Sequence, residues 1–232
     1  MCQIHKVAVA MFLEASIVNY KIILNFVKVK YKMTLGIEGY DRFINLFIES
    51  NQTLDFHQVC ADFIDFLPEK SINILDVGSG AGQNSAALAK LGYKVTAVEP
   101  MLQFLVAAKH SYKELNINWL SGSLPELSCI AVEHSKFDFV LIDAVWHHLN
   151  EEERGRAAIR LSQIINSGGS GALSLRNGPA GMGTRVFPTK AEETIAQFQN
   201  LGFRSVFQLH DQPSFYSFKQ DVKWSRIVLE KD

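Results

Sequence analysis

The chain has 232 residues, of which 47% are hydrophobic and 20% charged, and its formal net charge is -1. This length can bury one substantial core but leaves little room for two full domains, and the near-neutral charge argues against a broad basic surface, so no nucleic-acid partner is expected. Cys2, Cys60 and Cys129 form no CxxC pair, which argues against a zinc site or a disulfide framework and favours a reducing, cytoplasmic compartment.

The first 33 residues are rich in apolar side chains but carry no membrane-spanning pattern. Polar residues such as Glu14, Lys21 and Lys28 leave no run of the roughly 18 apolar residues that a spanning helix needs. A signal peptide is disfavoured because only a short apolar run follows Lys6. Residues 1–33 are therefore interpreted as an uncertain N-terminal extension without a membrane span, and Met33 as an alternative start stays open.

Helical and strand patterns follow in a regular order from residue 34 onward. Two amphipathic helices are predicted in "YDRFINLFIES" and "DFHQVCADFIDFL", ending before Pro68. Short apolar runs then alternate with helical stretches, which is typical of a mostly parallel sheet with helices on both faces. The last two of seven strand candidates, "FRSVFQL" and "WSRIVLE", are joined without a clear helix, and this predicts one antiparallel edge strand in an α/β fold.

Two helix starts carry capping signals. Asn150 precedes three consecutive acids, which favour a helix N-terminus. Thr189 precedes Glu192 by three residues, the spacing of a capping box, so a helix is also predicted to begin there.

The stretch "ILDVGSGAGQ", residues 74–83, predicts a buried strand that turns into a helix through closely spaced glycines. Ligands of open α/β sheets bind at the carboxyl ends of the strands, where glycines let them approach the backbone. Glu99 ends the second strand candidate, and a carboxylate there can accept both hydroxyls of a ribose. The pattern predicts a nucleoside pocket; a tight turn without a ligand is the alternative.

The glycine spacing bears on which nucleoside binds. A dinucleotide fingerprint reads GxGxxG, whereas Gln83 stands at the third glycine position here, which weakens a nicotinamide assignment. The run from Asp76 to Gly82, followed by Glu99, resembles the first motif of class I S-adenosylmethionine-dependent methyltransferases. The resemblance covers about residues 40–230. It implies a Rossmann-like fold, a single methyltransferase domain over 34–232 with a helical cap at about 34–70, and S-adenosyl-L-methionine as the cofactor.

The resemblance also implies roles for particular residues. Asp76 would hold the ammonium group of the cofactor, Ser123 would accept from the adenine amino group, and Leu124 would cover the adenine ring. Ser123 replaces an aspartate that is frequent in the family, and a plain turn residue is its alternative. The complete cofactor-binding set expected from the resemblance is Asp76, Gly78, Ser79, Gly80, Gly82, Glu99, Pro100, Ser123, Leu124 and Asp143.

The fourth strand candidate leads into "DAVWHHL", which resembles the corresponding motif of many small-molecule methyltransferases. Adjacent side chains in a regular segment diverge, so we expect either His147 or His148 to face the pocket as a general base. A purely structural contact is the alternative for each histidine. No Asn-Pro-Pro-Tyr or Asp-Pro-Pro-Tyr run is present, which argues against amino methylation of bases or glutamine.

A glycine-rich loop of 13 residues, Arg176 to Pro188, follows the fifth strand candidate. Loops of this length usually serve a purpose such as a binding wall. Arg176 or Arg185 would bind a carboxylate or phosphate on the acceptor, with solvated arginines as the alternative. Tyr40 and Phe43, from the helical segment before the core, are further candidates for closing over the cofactor, with helix packing as the alternative.

These features predict an S-adenosylmethionine-dependent methyltransferase that transfers a methyl group to a small-molecule acceptor by in-line displacement. Two alternatives stay open: a nicotinamide-dependent oxidoreductase and a non-catalytic regulatory protein that binds S-adenosylmethionine. The identity of the acceptor and the oligomeric state are also open at this point.

Overall fold

The computed structural model describes residues 36–68, 72–133, 136–214 and 219–232. The predicted N-terminal extension, residues 1–33, lies outside the described residues. Within the described ranges, no helix combines the length and the apolar character needed to cross a membrane.

Seven strands form one sheet in the order β3-β2-β1-β4-β5-β7-β6. Neighbouring strands from β3 to β5 pair in parallel, whereas β7 pairs antiparallel with both β5 and β6. The prediction of a mostly parallel sheet with an antiparallel edge is confirmed, and the antiparallel strand β7 lies between β5 and the outermost β6. The strands are β1 Asn73–Val77, β2 Lys94–Glu99, β3 Ile117–Ser121, β4 Phe137–Ile142, β5 Ile165–Asn177, β6 Phe203–Pro213 and β7 Lys223–Lys231.

Helices cover both faces of this sheet and bury two apolar cores. Leu88 packs with Ile74 on one face, and Leu161 packs with Leu75 on the other, so consecutive residues of β1 point into different cores. Burying each of these side chains contributes roughly 1.5–3 kcal/mol. The α-helices are α1 Ile44–Gln52, α2 Phe56–Val59, α3 Gln83–Lys90, α4 Leu102–Ser111, α5 Glu151–Ile164 and α6 Ala191–Gln199.

The predicted helix in residues 55–67 is broken in two. α2 is capped by Asp55, which accepts from the His57 amide at 3.0 Å, and it ends at Cys60, where the chain continues as a 3-10 helix, Ala61–Phe66. Cys60 and Phe63 are both buried against the sheet. A continuous α-helix would place these positions differently around its axis, so packing overrides the helical periodicity.

The two predicted helix starts have different outcomes. Asn150 caps α5 in a capping box, accepting from the Glu153 amide at 2.9 Å while Glu153 Oε2 accepts from the Asn150 amide at 2.7 Å. The predicted cap at Thr189 is wrong, because α6 begins two residues later with Lys190 as its N-cap. The Thr189 amide donates instead to Asn177 Oδ1 at 2.7 Å, and this contact ties the residue to the end of β5.

Candidate functional site

The turn of residues 78–82 joins the end of β1 to the start of α3. A Cβ on Gly78 would lie 2.3 Å from Cγ2 of Val145, too close for any larger residue. The Gly78 amide donates to the Val98 carbonyl of β2 at 2.8 Å. The turn therefore presents backbone at the carboxyl ends of two neighbouring strands. Its three glycines all adopt positive φ, between 56° and 91°: Gly78, Gly80 and Gly82.

Asp76 lies in β1 immediately before this turn, and its side chain is buried. Its Oδ2 accepts a 2.6 Å hydrogen bond from Oγ of Ser85 in α3. Burial raises the pKa of Asp76 to about 7, and the bond from Ser85 offsets this rise only in part. Because a neighbouring cation would favour the ionised carboxylate, this environment is suited to an ammonium group.

Glu99 is the last residue of β2 and is also buried. Its Oε2 accepts from the Gly80 amide at 2.9 Å, and its Oε1 accepts from the Met101 amide at 2.7 Å. Burial raises the pKa of Glu99 to about 7 despite these two bonds. Each carboxylate oxygen has further acceptor capacity, which hydroxyl donors can fill. Pro100 is half-buried between Glu99 and the start of α4.

Three buried polar atoms around the glycine turn have no hydrogen-bond partner among the described residues: Ser79 Oγ, Gln83 Oε1 and Asn84 Oδ1. Buried polar atoms in proteins are normally paired, so these three are suited to a ligand. Two are obligatory acceptors, and both belong to the first two residues of α3, directly after the glycine turn. An ammonium group needs such acceptors, whereas a pyrophosphate needs donors. The residues present therefore fit the predicted cofactor.

Asp143 follows β4 and extends this polar layer along the same edge of the sheet. Its Oδ1 accepts from Ser174 Oγ of β5 at 2.6 Å, and its Oδ2 accepts from Asn84 Nδ2 at 3.4 Å. Burial raises the pKa of Asp143. In the described part of the chain, no three His, Cys, Asp or Glu side chains are grouped to hold a metal ion.

Ser123 and Leu124 follow β3 at the same edge of the sheet. Ser123 is half-buried, and its carbonyl accepts from the Leu127 amide at 2.9 Å, which closes a turn. Leu124 is 3% exposed and packs in the core cluster that includes Val98 of β2. Core packing thus accounts for much of the Leu124 side chain, and its predicted contact with an adenine ring stays a prediction.

Helix α1 lies over the glycine turn. The Ala81 amide donates to Asn51 Oδ1 at 3.0 Å, and Gln52 Nε2 donates to the Ala81 carbonyl at 3.2 Å. The ring of Phe47 lies 3.1 Å from the position that a Cβ on Gly80 would take. Phe47 also stacks on Phe104 of α4, with 4.3 Å between the ring centroids. The helical segment before the core thus covers the predicted cofactor site.

Tyr40 connects this covering segment to the histidines. His148 Nδ1 lies 2.6 Å from the Arg185 carbonyl, which can only accept, so this nitrogen carries the proton. The other nitrogen, Nε2, then accepts from the Tyr40 hydroxyl at 3.1 Å. Burial lowers the pKa of His148 and raises the pKa of Tyr40 to about 12. His148 is therefore a neutral imidazole that accepts a hydrogen bond from the neutral phenol of Tyr40.

His147 is likewise buried, and the expectation that the two histidines diverge is wrong. Both lie in the 3-10 helix Trp146–His148, where their ring centroids are 4.1 Å apart. Burial lowers the pKa of His147 well below its usual value, and its Nδ1 has no partner among the described residues. The tight turn and the surrounding core bring both rings to one side, and only His148 gains a fixed tautomer.

The loop predicted to start at Arg176 starts later, because β5 extends to Asn177 and includes Arg176, whereas Arg185 does lie in the loop. The two arginines also differ in their partners. Arg185 Nη2 lies 2.8 Å from both carboxylate oxygens of Glu153, its Nε is 3.7 Å from Glu38 Oε1, and Nη1 donates to the His148 carbonyl. Among the described residues, Arg176 donates only to the carbonyls of Gly178 and Pro179, at 3.4 and 2.6 Å. The structure therefore gives Arg185 a role in holding the loop and leaves Arg176 without an acid partner among the described residues.

Several residues that lie in this site in the structure were not predicted from the sequence. Phe47, Asn51 and Ser85 contact the glycine turn or Asp76, yet their positions carry no local signal that points there. Ser174 did carry one, because it is a lone hydroxyl within the apolar run "ALSL" of a buried strand. A buried polar side chain usually has a partner, and here that partner is Asp143.

Comparisons with known proteins agree with this geometry. A family model described as a methyltransferase domain matches residues 74–169. An uncharacterized methyltransferase from Bacillus cereus (strain 03BB102) is 28% identical over 138 residues, which are 56% of this chain and 58% of the relative. An uncharacterized methyltransferase from Bacillus mycoides (strain KBAB4) has the same identity and coverage. The chain thus spans less than two thirds of the length of these relatives.

Solved structures share the fold. Magnesium protoporphyrin IX methyltransferase from Synechocystis PCC 6803, solved with bound SAM, has a TM-score of 0.62 at 16% identity, covering 82% of this chain and 84% of that one. A TehB-like SAM-dependent methyltransferase from Corynebacterium glutamicum has a TM-score of 0.58 at 20% identity, covering 83% and 95%. Together with the domain match over residues 74–169 and the motif from Asp76 to Gly82, these findings support a class I S-adenosylmethionine-dependent methyltransferase.

Proposed function

We propose that this protein is an S-adenosylmethionine-dependent methyltransferase that acts on a small-molecule acceptor. The observation that carries the proposal is the placement of two buried carboxylates, Asp76 and Glu99, at the carboxyl ends of adjacent parallel strands with the glycine turn between them. This arrangement supplies acceptors for a ribose and an ammonium group beside accessible backbone.

In this proposal each part of the site holds one part of the cofactor. Glu99 accepts from the ribose hydroxyls, and Asp76 attracts the ammonium group, with Asn84 Oδ1 as a further acceptor. Pro100, Ser123 and Leu124 border the adenosine, and Asp143 lies beyond Asn84 on the side of the transferring methyl group. The glycines and Ser79 provide the surface against which the cofactor lies.

The bound cofactor supplies a methyl group that its sulfonium has already activated. The protein's main task is then to align an acceptor atom and to keep water out. The covering segment suits this task, since its Tyr40 and Phe47 pack on Phe104 of α4. Small-molecule acceptors also agree with the relatives in fold, since one of them is a glycopeptide N-methyltransferase.

His148 is the proposed general base. Its Nδ1 proton is fixed by the Arg185 carbonyl, so its basic Nε2 faces the Tyr40 hydroxyl. An acceptor that must lose a proton passes it to Nε2 through that hydroxyl, and the lowered pKa keeps the imidazole neutral and ready at neutral pH. His147, without a hydrogen-bonded tautomer, is the weaker candidate.

The domain limits and the location belong to the same proposal. Residues 34–232 would be one methyltransferase domain with a helical cap at about 34–70, since the described part of that cap covers the glycine turn. A cytoplasmic location agrees with the free thiols of Cys60 and Cys129.

The first test is calorimetric titration of the protein with S-adenosylhomocysteine and, separately, with NADH. We expect saturable binding of S-adenosylhomocysteine that Glu99→Ala weakens at least about 10-fold, because hydrogen bonds to a charged group are lost. Glu114→Ala, at an exposed surface position, is the matched control and should bind like the wild type.

The outcomes of this titration distinguish the proposed methyltransferase from the two alternative functions. Binding of NADH instead of S-adenosylhomocysteine would overturn the methyltransferase proposal in favour of an oxidoreductase. Binding of S-adenosylhomocysteine would justify a screen of acceptors with radiolabelled S-adenosylmethionine, and failure to methylate any acceptor class would favour a regulatory protein that only binds the cofactor.

A further inference from the structure

Arg176 lies next to the carboxyl end of β5, beside the proposed site. It is directly opposite Trp224 of β7 in the antiparallel β5–β7 ladder, so the two side chains share one face of the sheet. Ser174, two residues earlier in β5, points to the same face and donates to Asp143. Arg176 therefore lies two residues further along β5 than Ser174, on the same face of the sheet.

The side chains around Arg176 include those that we propose to surround the methyl acceptor. The ring of Trp224 meets the ring of His147 edge to face, with 6.3 Å between centroids. The guanidinium is close enough to act electrostatically on Tyr40, His147 and His148. Arg176 is thus linked to the histidine turn through Trp224, which lies opposite Arg176 in the sheet and contacts His147.

The hydrogen bonds of Arg176 leave most of its donors available. One N–H of Nη1 and one of Nη2 reach the Gly178 and Pro179 carbonyls, which hold the guanidinium plane in place. Nε and the second N–H of each Nη have no partner among the described residues, and none of these nitrogens is a buried unpaired atom. A planar fork held by its loop and open to solvent is the geometry that pairs with a carboxylate or phosphate.

Arg176 carries a positive charge that no ion pair among the described residues compensates. No carboxylate in the described ranges lies within salt-bridge distance of Arg176, in contrast to Arg185, which contacts Glu153 and Glu38. Lys219 adds a second cation nearby, and burial together with Arg176 lowers the pKa of Lys219.

We infer that Arg176 anchors an anion subsite, and that the methyl acceptor is a small molecule carrying a carboxylate or phosphate group held by its guanidinium. The inference rests on the proposed function, since it names the class of acceptor for the same site. Bound there, the anionic end of the acceptor lies against Trp224, and the remainder extends toward Tyr40 and His148.

The test is calorimetric titration of the S-adenosylhomocysteine-saturated protein with inorganic phosphate and, separately, with acetate, at ionic strength held constant with chloride. We expect saturable binding of at least one anion that Arg176→Gln weakens roughly 10- to 100-fold, the effect of losing a charge-assisted hydrogen-bond pair. Arg176→Lys, which keeps the charge but loses the fork, should bind with intermediate affinity. Arg204→Gln, at an exposed arginine paired with Glu230, is the matched control and should leave anion binding unchanged.

Binding of S-adenosylhomocysteine to Arg176→Gln reports that the variant is folded. If the wild type binds S-adenosylhomocysteine but neither anion, or if Arg176→Gln binds anions as the wild type does, the subsite is wrong while the proposed function stands. If the wild type fails to bind S-adenosylhomocysteine, the proposed function is wrong, and the anion titration of the cofactor-free protein then decides separately whether Arg176 forms a subsite. Preference for phosphate over acetate, or the reverse, identifies the acceptor's anionic group.

Discussion

A single hydroxyl shows how closely the site is tied to the sheet. Ser174 Oγ donates to Asp143 Oδ1 at 2.6 Å and accepts from the Ala144 amide at 2.7 Å. Ala144 has a φ of 58°, a left-handed conformation that costs a non-glycine residue roughly 1–2 kcal/mol. Ser174 therefore stabilises both a buried carboxylate and a strained turn with one side chain.

Ser174→Ala should reduce the free energy of unfolding by about 1–3 kcal/mol, since it removes the hydrogen bonds that the Ala144 amide and the Asp143 Oδ1 atom make with the hydroxyl. Urea denaturation of the purified protein measures this change. Ser162→Ala, at a half-buried serine of α5 whose hydroxyl donates to the Ile159 carbonyl one turn earlier, is the control and should stay within about 0.5 kcal/mol of wild type. Equal stability of the two variants would contradict the role assigned to Ser174.

The role proposed for Asp76 predicts that cofactor affinity depends on pH. Burial raises its pKa to about 7 in the absence of ligand, and only the ionised carboxylate attracts an ammonium group. Affinity for S-adenosylhomocysteine should therefore fall as the pH drops from 8 to 6, by up to about 10-fold per pH unit below the pKa. Calorimetry at the two pH values measures the slope.

Asp76→Asn is the informative variant for this dependence. It should bind S-adenosylhomocysteine more weakly at pH 8 and with a shallower pH slope, because only Glu99 and Asp143 are then left as buried acids of the site whose pKa is raised. An unchanged slope in Asp76→Asn would show that the ammonium group does not bind at this carboxylate.

The elements around the site meet at the loop between β5 and α6. The Thr184 amide donates to the Glu38 carbonyl at 2.7 Å, and the Phe187 amide donates to the His147 carbonyl at 2.8 Å. Arg154 of α5 donates to the Pro188 carbonyl at 2.8 Å. These contacts attach the loop to the covering segment, to the histidine turn and to α5, so the loop is a fixed wall of the site.

Gly183 is the point of closest approach in that wall. A Cβ there would lie 2.5 Å from Cε2 of Tyr40 and 2.8 Å from Cε1 of His148. Gly183→Ala should push these rings apart, lower the free energy of unfolding by about 1–3 kcal/mol and weaken S-adenosylhomocysteine binding. Thermal unfolding with and without the ligand measures both effects.

Gly181→Ala is the matched control in the same loop. A Cβ at Gly181 would meet no atom within 4 Å, so this variant should be as stable as the wild type or slightly more stable. If both glycine variants behave alike, the contact of Gly183 with Tyr40 and His148 is not what holds the loop against the covering segment.

At the scale of the whole molecule, two groups of buried residues titrate in opposite senses. The pKa values of Asp76 and Glu99 are raised to about 7, so their contribution to stability is present at low pH and lost as the pH rises through 7. Burial lowers the pKa values of His147 and His148, so their contribution is lost as the pH falls below 6.5. Above pH 6.5, Asp76 and Glu99 therefore determine how the free energy of unfolding changes with pH.

The ligand-free protein should therefore lose about 1 kcal/mol of unfolding free energy between pH 6.5 and 8. Saturation with S-adenosylhomocysteine should abolish this loss, because the ammonium and ribose groups favour the ionised carboxylates. Urea denaturation at the two pH values, with and without the ligand, measures the difference. A stability that rises with pH in the ligand-free protein would contradict the placement of Asp76 and Glu99.

Local patterns in the sequence determined the seven strands, the glycine turn and the position of two buried acids at strand ends. Periodicity and glycine spacing carry this information because backbone hydrogen bonding and side-chain burial act over a few neighbouring residues. The break at Cys60 and the failed cap at Thr189 show the limit of such patterns, since in both places contacts with distant residues outweigh the local preference.

Only the tertiary structure decided which residues meet in the site. Tyr40 and His148 are 108 positions apart, Asn51 and Ala81 are 30 apart, and Asp143 and Ser174 are 31 apart. Likewise, Arg176 and Arg185 look equivalent in the sequence, and only the presence of Glu153 and Glu38 beside Arg185 separates their roles. Such pairings follow from how whole elements pack around the sheet, and no short-range pattern in one sequence encodes that packing.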